Sequence, residues 1–92
     1  MKTLKSFFES DFKKFSKKLP PHIREKAHKA FKNFREQDQS TFSRGLEFKQ
    51  IRGTLYSIRI DANYRALGHK EGDIMYWEWI GTHDEYMRRI RG

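Results

Sequence analysis

The chain has 92 residues, 35% of them charged and 36% hydrophobic, with no cysteine and a formal charge of +8. That length suits one domain spanning 1–92, and the missing thiols exclude disulfide frameworks, thiolate zinc sites and cysteine nucleophiles, as fits a reducing, cytoplasmic setting. No apolar run approaches the roughly 20 residues needed to cross a bilayer, and Lys2 and Lys5 stand where an export signal would open its apolar core, so no membrane partner is expected.

The charge is unevenly placed. Residues 1–35 hold eleven Lys and Arg against three acids, a net of +8, while the remainder carries nine of each sign. This asymmetry points to a polyanionic partner, either nucleic acid or an acidic protein, although any single lysine is as well explained by a solvated helix face.

Along the chain, Phe8, Phe12, Phe15 and Leu19 step by four, three and four from Leu4 onward, which predicts a helix over 4–19 ended by Pro20 and Pro21. A second stripe, Ile23, Ala27, Ala30, Phe31 and Phe34, predicts a second, antiparallel helix with Pro21 in its first turn. Phenylalanines at this spacing are core packing, so both stripes are expected to cover a sheet. Glu36 to Ser40 lacks periodicity and reads as a loop.

From Leu46 the period changes to two. Leu46–Ile51 alternates, Arg52-Gly53 turns, and Leu55–Ile60 places Tyr56, Ile58 and Ile60 on one face. Asp61-Ala62-Asn63 turns the chain into Tyr64–Gly68, and Lys70–Asp73 turns it again into Ile74–Ile80, apolar on both faces apart from Glu78 and so expected to be a central strand. His83–Arg91 closes the chain as a short charged helix. The fold class is therefore α+β: two N-terminal antiparallel helices packed on an antiparallel β-meander, with a short C-terminal helix.

His22, His28, His69 and His83 are too dispersed in sequence to form a recognisable ligand pair, and no metal or other cofactor is expected. Glu47-Phe48-Lys49, with Asp38 upstream, has the acid-x-lysine spacing of some magnesium nucleases, but a solvent-facing strand pair is the better reading of so short a motif. A second constellation gathers Arg59, Arg65, Glu78, His83 and Tyr86. Arg59 and Arg65 lie on strands joined by a three-residue turn, so their guanidinium groups are placed to converge on one phosphate. Glu78 is equally placed to neutralise them in an ion pair without function. His83 follows Gly81-Thr82 at the end of the central strand, where an imidazole can exchange protons near neutrality.

Tyr56–Ile60, Tyr64–Gly68 and Trp77–Tyr86, preceded by Leu19-Pro20-Pro21, Ala27, Ala30-Phe31 and Leu46–Lys49, resemble the RelE/ParE superfamily of toxins from bacterial toxin–antitoxin pairs over most of the chain. The resemblance implies a helical pair on a curved antiparallel sheet, and for RelE-like members a ribosome-associated, metal-independent messenger-RNA endonuclease. There Arg65 would stabilise phosphate, His83 would act as acid or base, and Tyr86 would stack on or orient the substrate. Lys49 and Arg52, more weakly, would help hold RNA, and the constellation above adds Arg59 and Glu78 to the expected substrate-binding residues. The excess charge on the helices instead of the sheet departs from the strongest nucleases, so two alternatives stand beside this: a non-catalytic ParE-like inhibitor of DNA gyrase, and a non-toxic binding module. All imply a small acidic antitoxin wrapping the basic helices or covering the Arg59/Arg65 face.

Overall fold

The apolar run at Ile74–Ile80 needs a hydrogen-bonding neighbour on each edge and a cover on each face, and the fold supplies all four. A computed structural model describes residues 4–36 and 47–91 as β1 (Lys5–Phe8), α1 (Ser10–Lys17), α2 (Pro21–Glu36), β2 (Lys49–Arg52), β3 (Leu55–Asp61), β4 (Tyr64–Glu71), β5 (Ile74–Thr82) and α3 (His83–Arg91). The five strands form one sheet in the order β1-β5-β4-β3-β2. The last four are the expected antiparallel meander, and β1 joins β5 in parallel.

β1 is the main departure from the expected architecture. The predicted helix over 4–19 is shorter, because residues 5–8 pair with β5 and the helix starts at Ser10. The Lys5 N–H donates to the Asp73 carbonyl at 2.8 Å, the Glu9 N–H to the Trp77 carbonyl at 3.0 Å, and the Trp77 indole N–H to Ser6 Oγ at 3.0 Å. Without β1, the edge of a strand carrying Met75, Trp77, Trp79 and Ile80 would be open to other chains. Leu4 and Phe8 still reach the core from the strand, and the exposed Phe7 packs on Tyr76 with ring centroids 5.7 Å apart.

The expected stripe of α2 is buried as read: Ile23, Ala27, Ala30, Phe31 and Phe34. Phe31 and Phe34 meet the fully buried Trp77 edge-on, at 5.1 and 5.4 Å, and Ile58, Ile60, Ala66, Met75 and Ile80 complete this core. The Pro20 carbonyl accepts from the N–H groups of Ile23 and Arg24, so α2 begins where Pro21 leaves no donor unsatisfied.

A smaller core on the opposite face holds Leu67, Trp79 and Tyr86, with Ile51, Leu55, Met87 and Ile90 packed against it, and α3 is its lid. Strand alternation alone would put Trp77 and Trp79 on one face. They are separated because Gly68 pairs with Trp77 while Leu67 pairs with Trp79, leaving Glu78 as the extra residue of a bulge.

Among the described residues no helix is long and apolar enough to cross a membrane. The loop expected after Glu36, including Asp38, and the expected strand start at Leu46 lie outside the described residues.

Candidate functional site

One end of the sheet collects most of the residues singled out in the sequence. Arg59 on β3 stands directly opposite Arg65 on β4, and Arg65 stands opposite Gly81 on β5. Alternation from Leu67 and Ser57 puts both arginines on the face that α3 covers. Thr82 pairs with Tyr64, and the His83 N–H donates to the Asn63 carbonyl at 2.7 Å, which fixes the start of α3 against the β3–β4 turn. Ala62, Asn63, Tyr64, Thr82, His83 and Asp84 line a cavity of about 320 Å³ there.

Two guanidinium groups placed opposite each other repel unless each is compensated. Arg59 is paired with Glu47 at 2.8 Å, both half exposed. Arg65 folds back over its own turn, where Nη1 donates to the carbonyls of Asp61 at 2.6 Å and Tyr64 at 3.0 Å, with a longer contact to Ala62. All three bonds use Nη1, so among the described residues nothing bonds the Nε and Nη2 edge of Arg65.

Of the two readings left open for Glu78, an ion pair with these arginines is not found among the described residues. The bulge at Glu78 aims it at His69, 3.2 Å away, and Glu47 takes the place reserved for it beside Arg59. Arg52 lies away from this cluster, where its Nη1 donates to the Ile90 carbonyl at 2.6 Å and caps the C-terminus of α3. Lys49 pairs in register with Ser57 and stays exposed on β2. Tyr86 is 3% exposed. Its hydroxyl shares a hydrogen bond with the buried Ser57 at 3.3 Å, and its ring centroid is 5.9 Å from that of His83.

What sequence reasoning missed here is the device that orients His83. Thr82 and Glu85 form a capping box: the Glu85 N–H donates to Thr82 Oγ1 at 3.2 Å, and the Thr82 N–H donates to Glu85 Oε1 at 3.1 Å. The signal was present as Thr82-His83-Asp84-Glu85, a threonine followed three residues later by a glutamate. The Thr82 N–H bond holds the Glu85 carboxyl below its ordinary range against partial burial, helped by the Thr82 hydroxyl and by Arg88 and Arg89. Burial opposes ionisation of Asp61, but the Asn63 N–H, Lys26 at 3.3 Å and the Tyr64 N–H outweigh it and lower that carboxyl too.

On the other side of the sheet, a groove of about 480 Å³ opens between α1 and α2. Its floor includes the buried Phe12, Ala27 and Phe31, and its rim carries Lys13, Lys17, Arg24, Lys32 and Arg35, with no carboxylate among the described residues that line it. No group of three or more His, Asp or Glu among the described residues is placed to hold a metal ion.

A family model described as the ParE-like toxin domain matches residues 21–88. Among solved structures, the toxin–antitoxin complex of RelB and RelE from Methanococcus jannaschii is similar at 24% identity and a TM-score of 0.70, over 90% of this chain and 96% of the other. YafQ from Escherichia coli is similar at 8% identity and a TM-score of 0.61, over 91% and 98%. At these identities the likeness is one of fold. No curated protein matches.

Proposed function

The chain belongs to the family of ParE-like toxin domains, within the RelE/ParE toxins, and from that premise we propose that it is a toxin that cuts messenger RNA on the ribosome without a metal ion. The observation that carries this reading is the meeting of Arg59, Arg65 and His83 at one end of the sheet. In such a cleavage the 2′-hydroxyl attacks the neighbouring phosphorus, the 5′-oxygen leaves, and negative charge accumulates on the phosphorane. The Nε and Nη2 edge of Arg65, with Arg59 beside it, meets that charge. The His83 imidazole takes or returns the proton. Tyr86, buried beneath His83, sets the imidazole's position and is out of reach of a base, so its part in this scheme is packing and not the stacking that the resemblance implied.

The partner that restrains such a toxin is a small acidic antitoxin, and the α1–α2 groove supports that assignment. Its apolar floor fits the apolar stripe of an amphipathic helix, and its cationic rim fits flanking carboxylates.

One observation favours a non-catalytic, gyrase-directed reading instead. Arg65 is bonded three times to its own turn, which gives it a structural use that requires no phosphate. Translation of a reporter messenger RNA with the purified chain and a chelator, with new 5′ ends mapped by primer extension, separates the two. Discrete cuts that disappear in His83→Ala support the nuclease. Intact RNA together with inhibited supercoiling by DNA gyrase transfers the assignment to the gyrase-directed toxin.

A further inference from the structure

At the opposite end of the same sheet face lies a hydroxyl–imidazole–carboxylate chain. Thr54 Oγ1 is 2.7 Å from His69 Nδ1, and His69 Nε2 is 3.2 Å from Glu78 Oε1. Three separate elements bring these residues together. Thr54 follows Gly53, whose φ of 51° turns the chain between β2 and β3; His69 comes from β4, opposite Leu55; Glu78 is the bulge residue of β5.

The polarity of the chain follows from its ends. The Glu78 carboxylate only accepts, so in the neutral imidazole it holds the proton of His69 on Nε2 and leaves Nδ1 as an acceptor. In that tautomer Thr54 donates its O–H to Nδ1, and its oxygen becomes the reactive end of the chain. A comparison lies within the same molecule: Thr82 Oγ1 donates to Glu85 at 3.1 Å with no imidazole between them. Thr54 is also exposed, and the imidazole and carboxylate are about 40% exposed (43% and 38%), so an incoming group reaches them. Their exposure makes a purely stabilising role for this network weak.

The surroundings name the class of group. A cavity of about 490 Å³ is lined by His69 and Glu78 together with Arg52 from β2 and Arg89 from α3. The guanidinium carbon of Arg89 is 5.0 Å from the centroids of both Phe15 and Trp79, so two aromatic rings hold this cation at the cavity. Thr54 is not itself among the lining residues and reaches this cavity through His69, so the two guanidinium groups flank the imidazole and carboxylate behind the hydroxyl, an arrangement that suits a phosphoryl group.

We propose that Thr54 is a phosphoryl-acceptor site, activated by His69 and Glu78 and supplied with counter-ions by Arg52 and Arg89. The donor is a nucleoside triphosphate presented by a partner enzyme. A bond forms between Thr54 Oγ1 and the terminal phosphorus, the phosphorus–oxygen bond to the penultimate phosphate breaks, and the nucleoside diphosphate leaves with that electron pair. The hydroxyl proton passes to His69 Nδ1, and the imidazolium stays against Glu78 until water removes the proton. The added phosphate competes for Arg52, whose Nη1 now caps the Ile90 carbonyl, and so loosens the end of the helix that begins at His83. That last consequence rests on the proposed function; the reactivity of Thr54 does not.

Incubation of the full chain with a fluorescent fluorophosphonate tests the acceptor directly, since the probe phosphonylates an activated hydroxyl and releases fluoride. Peptide mass spectrometry is expected to place the label on Thr54 and not on Thr82. Thr54→Val is expected to abolish labelling and Thr54→Ser to retain it. His69→Gln is expected to slow it by about tenfold or more, the low end of an acid–base contribution, and Glu78→Gln by less, with circular dichroism unchanged in each. No label on Thr54, equal label on Thr82, or an unchanged rate in His69→Gln overturns the proposal. Reporter cleavage by the same unlabelled preparations is scored separately, so a chain that labels at Thr54 without cutting RNA sinks the nuclease reading and leaves the acceptor site standing.

Discussion

Trp77 and Trp79, two residues apart on β5, face opposite sides of the sheet and anchor its two separate cores. The bulge that makes this possible requires Gly68: a Cβ there would lie 2.6 Å from the Tyr76 carbonyl oxygen and 3.0 Å from Trp77 Cα. These are backbone atoms that cannot yield without shifting the strand pair. Gly68→Ala is therefore expected to destabilise the fold by about 2 kcal/mol, in the range of overpacked cores, and urea denaturation measures it. A change below about 0.5 kcal/mol, the size of a neutral surface substitution, would mean that the bulge relaxes at little cost.

The bulge also marks the limit of what could be read in advance. The apolar stripe of α2 and the four meander strands were legible, because each repeats its period over enough residues to outweigh local accidents. β1 was not, since Leu4, Phe8 and Phe12 sit at helical spacing even though only Phe12 is on the helix. A four-residue strand carries too few alternations to compete, and what decides it is the open edge of β5, a tertiary need. The Arg59–Arg65 pair was legible from the short turn between them. The Glu78–His69 contact was not, because it depends on an extra residue in one strand that no local pattern announces.

The capping box predicts a specific acid response. Glu85 and Asp61 both have carboxyls lowered in the folded chain. Their stabilisation is fully present above the unfolded carboxylate values near 4 and is lost as pH falls through the lower folded values. Thermal unfolding followed from pH 6 to pH 2 should show the Tm falling only on the acid side of about pH 4. Glu85→Gln is expected to flatten part of that limb and, at neutral pH, to cost up to about 1 kcal/mol through the weakened cap. An acid limb unchanged by Glu85→Gln would remove the capping box as its source.

Tyr86 separates packing from chemistry. Its ring is buried against Leu67 and Trp79, while its hydroxyl, among the described residues, hydrogen-bonds Ser57. Tyr86→Phe keeps the ring and is expected to cost about 1 kcal/mol, the net size of one hydrogen bond, with reporter cleavage within about threefold of the parent. Tyr86→Ala should cost about 3 kcal/mol or more, as for a large core side chain. A loss of cleavage near ~10²-fold in Tyr86→Phe, with the stability change still small, would give the hydroxyl the size of a proton-transfer role.

The α1–α2 groove and the Arg59–Arg65 end of the sheet predict separable losses. Lys17 and Lys32 sit on the groove rim, one on each helix, exposed and away from the core. A synthetic amphipathic helix with a leucine stripe flanked by glutamates should therefore bind the parent chain and lose about tenfold in affinity to the Lys17→Glu, Lys32→Glu double variant, mostly through a slower on-rate that added salt mimics. The same variant should cut the reporter at the parental rate, because neither lysine touches the opposite face. Arg65→Ala should do the reverse, sparing peptide binding and lowering cleavage. Equal loss of both properties in either variant would mean that partner and substrate share one surface, and the division of this small sheet into a restrained side and an acting side would fail.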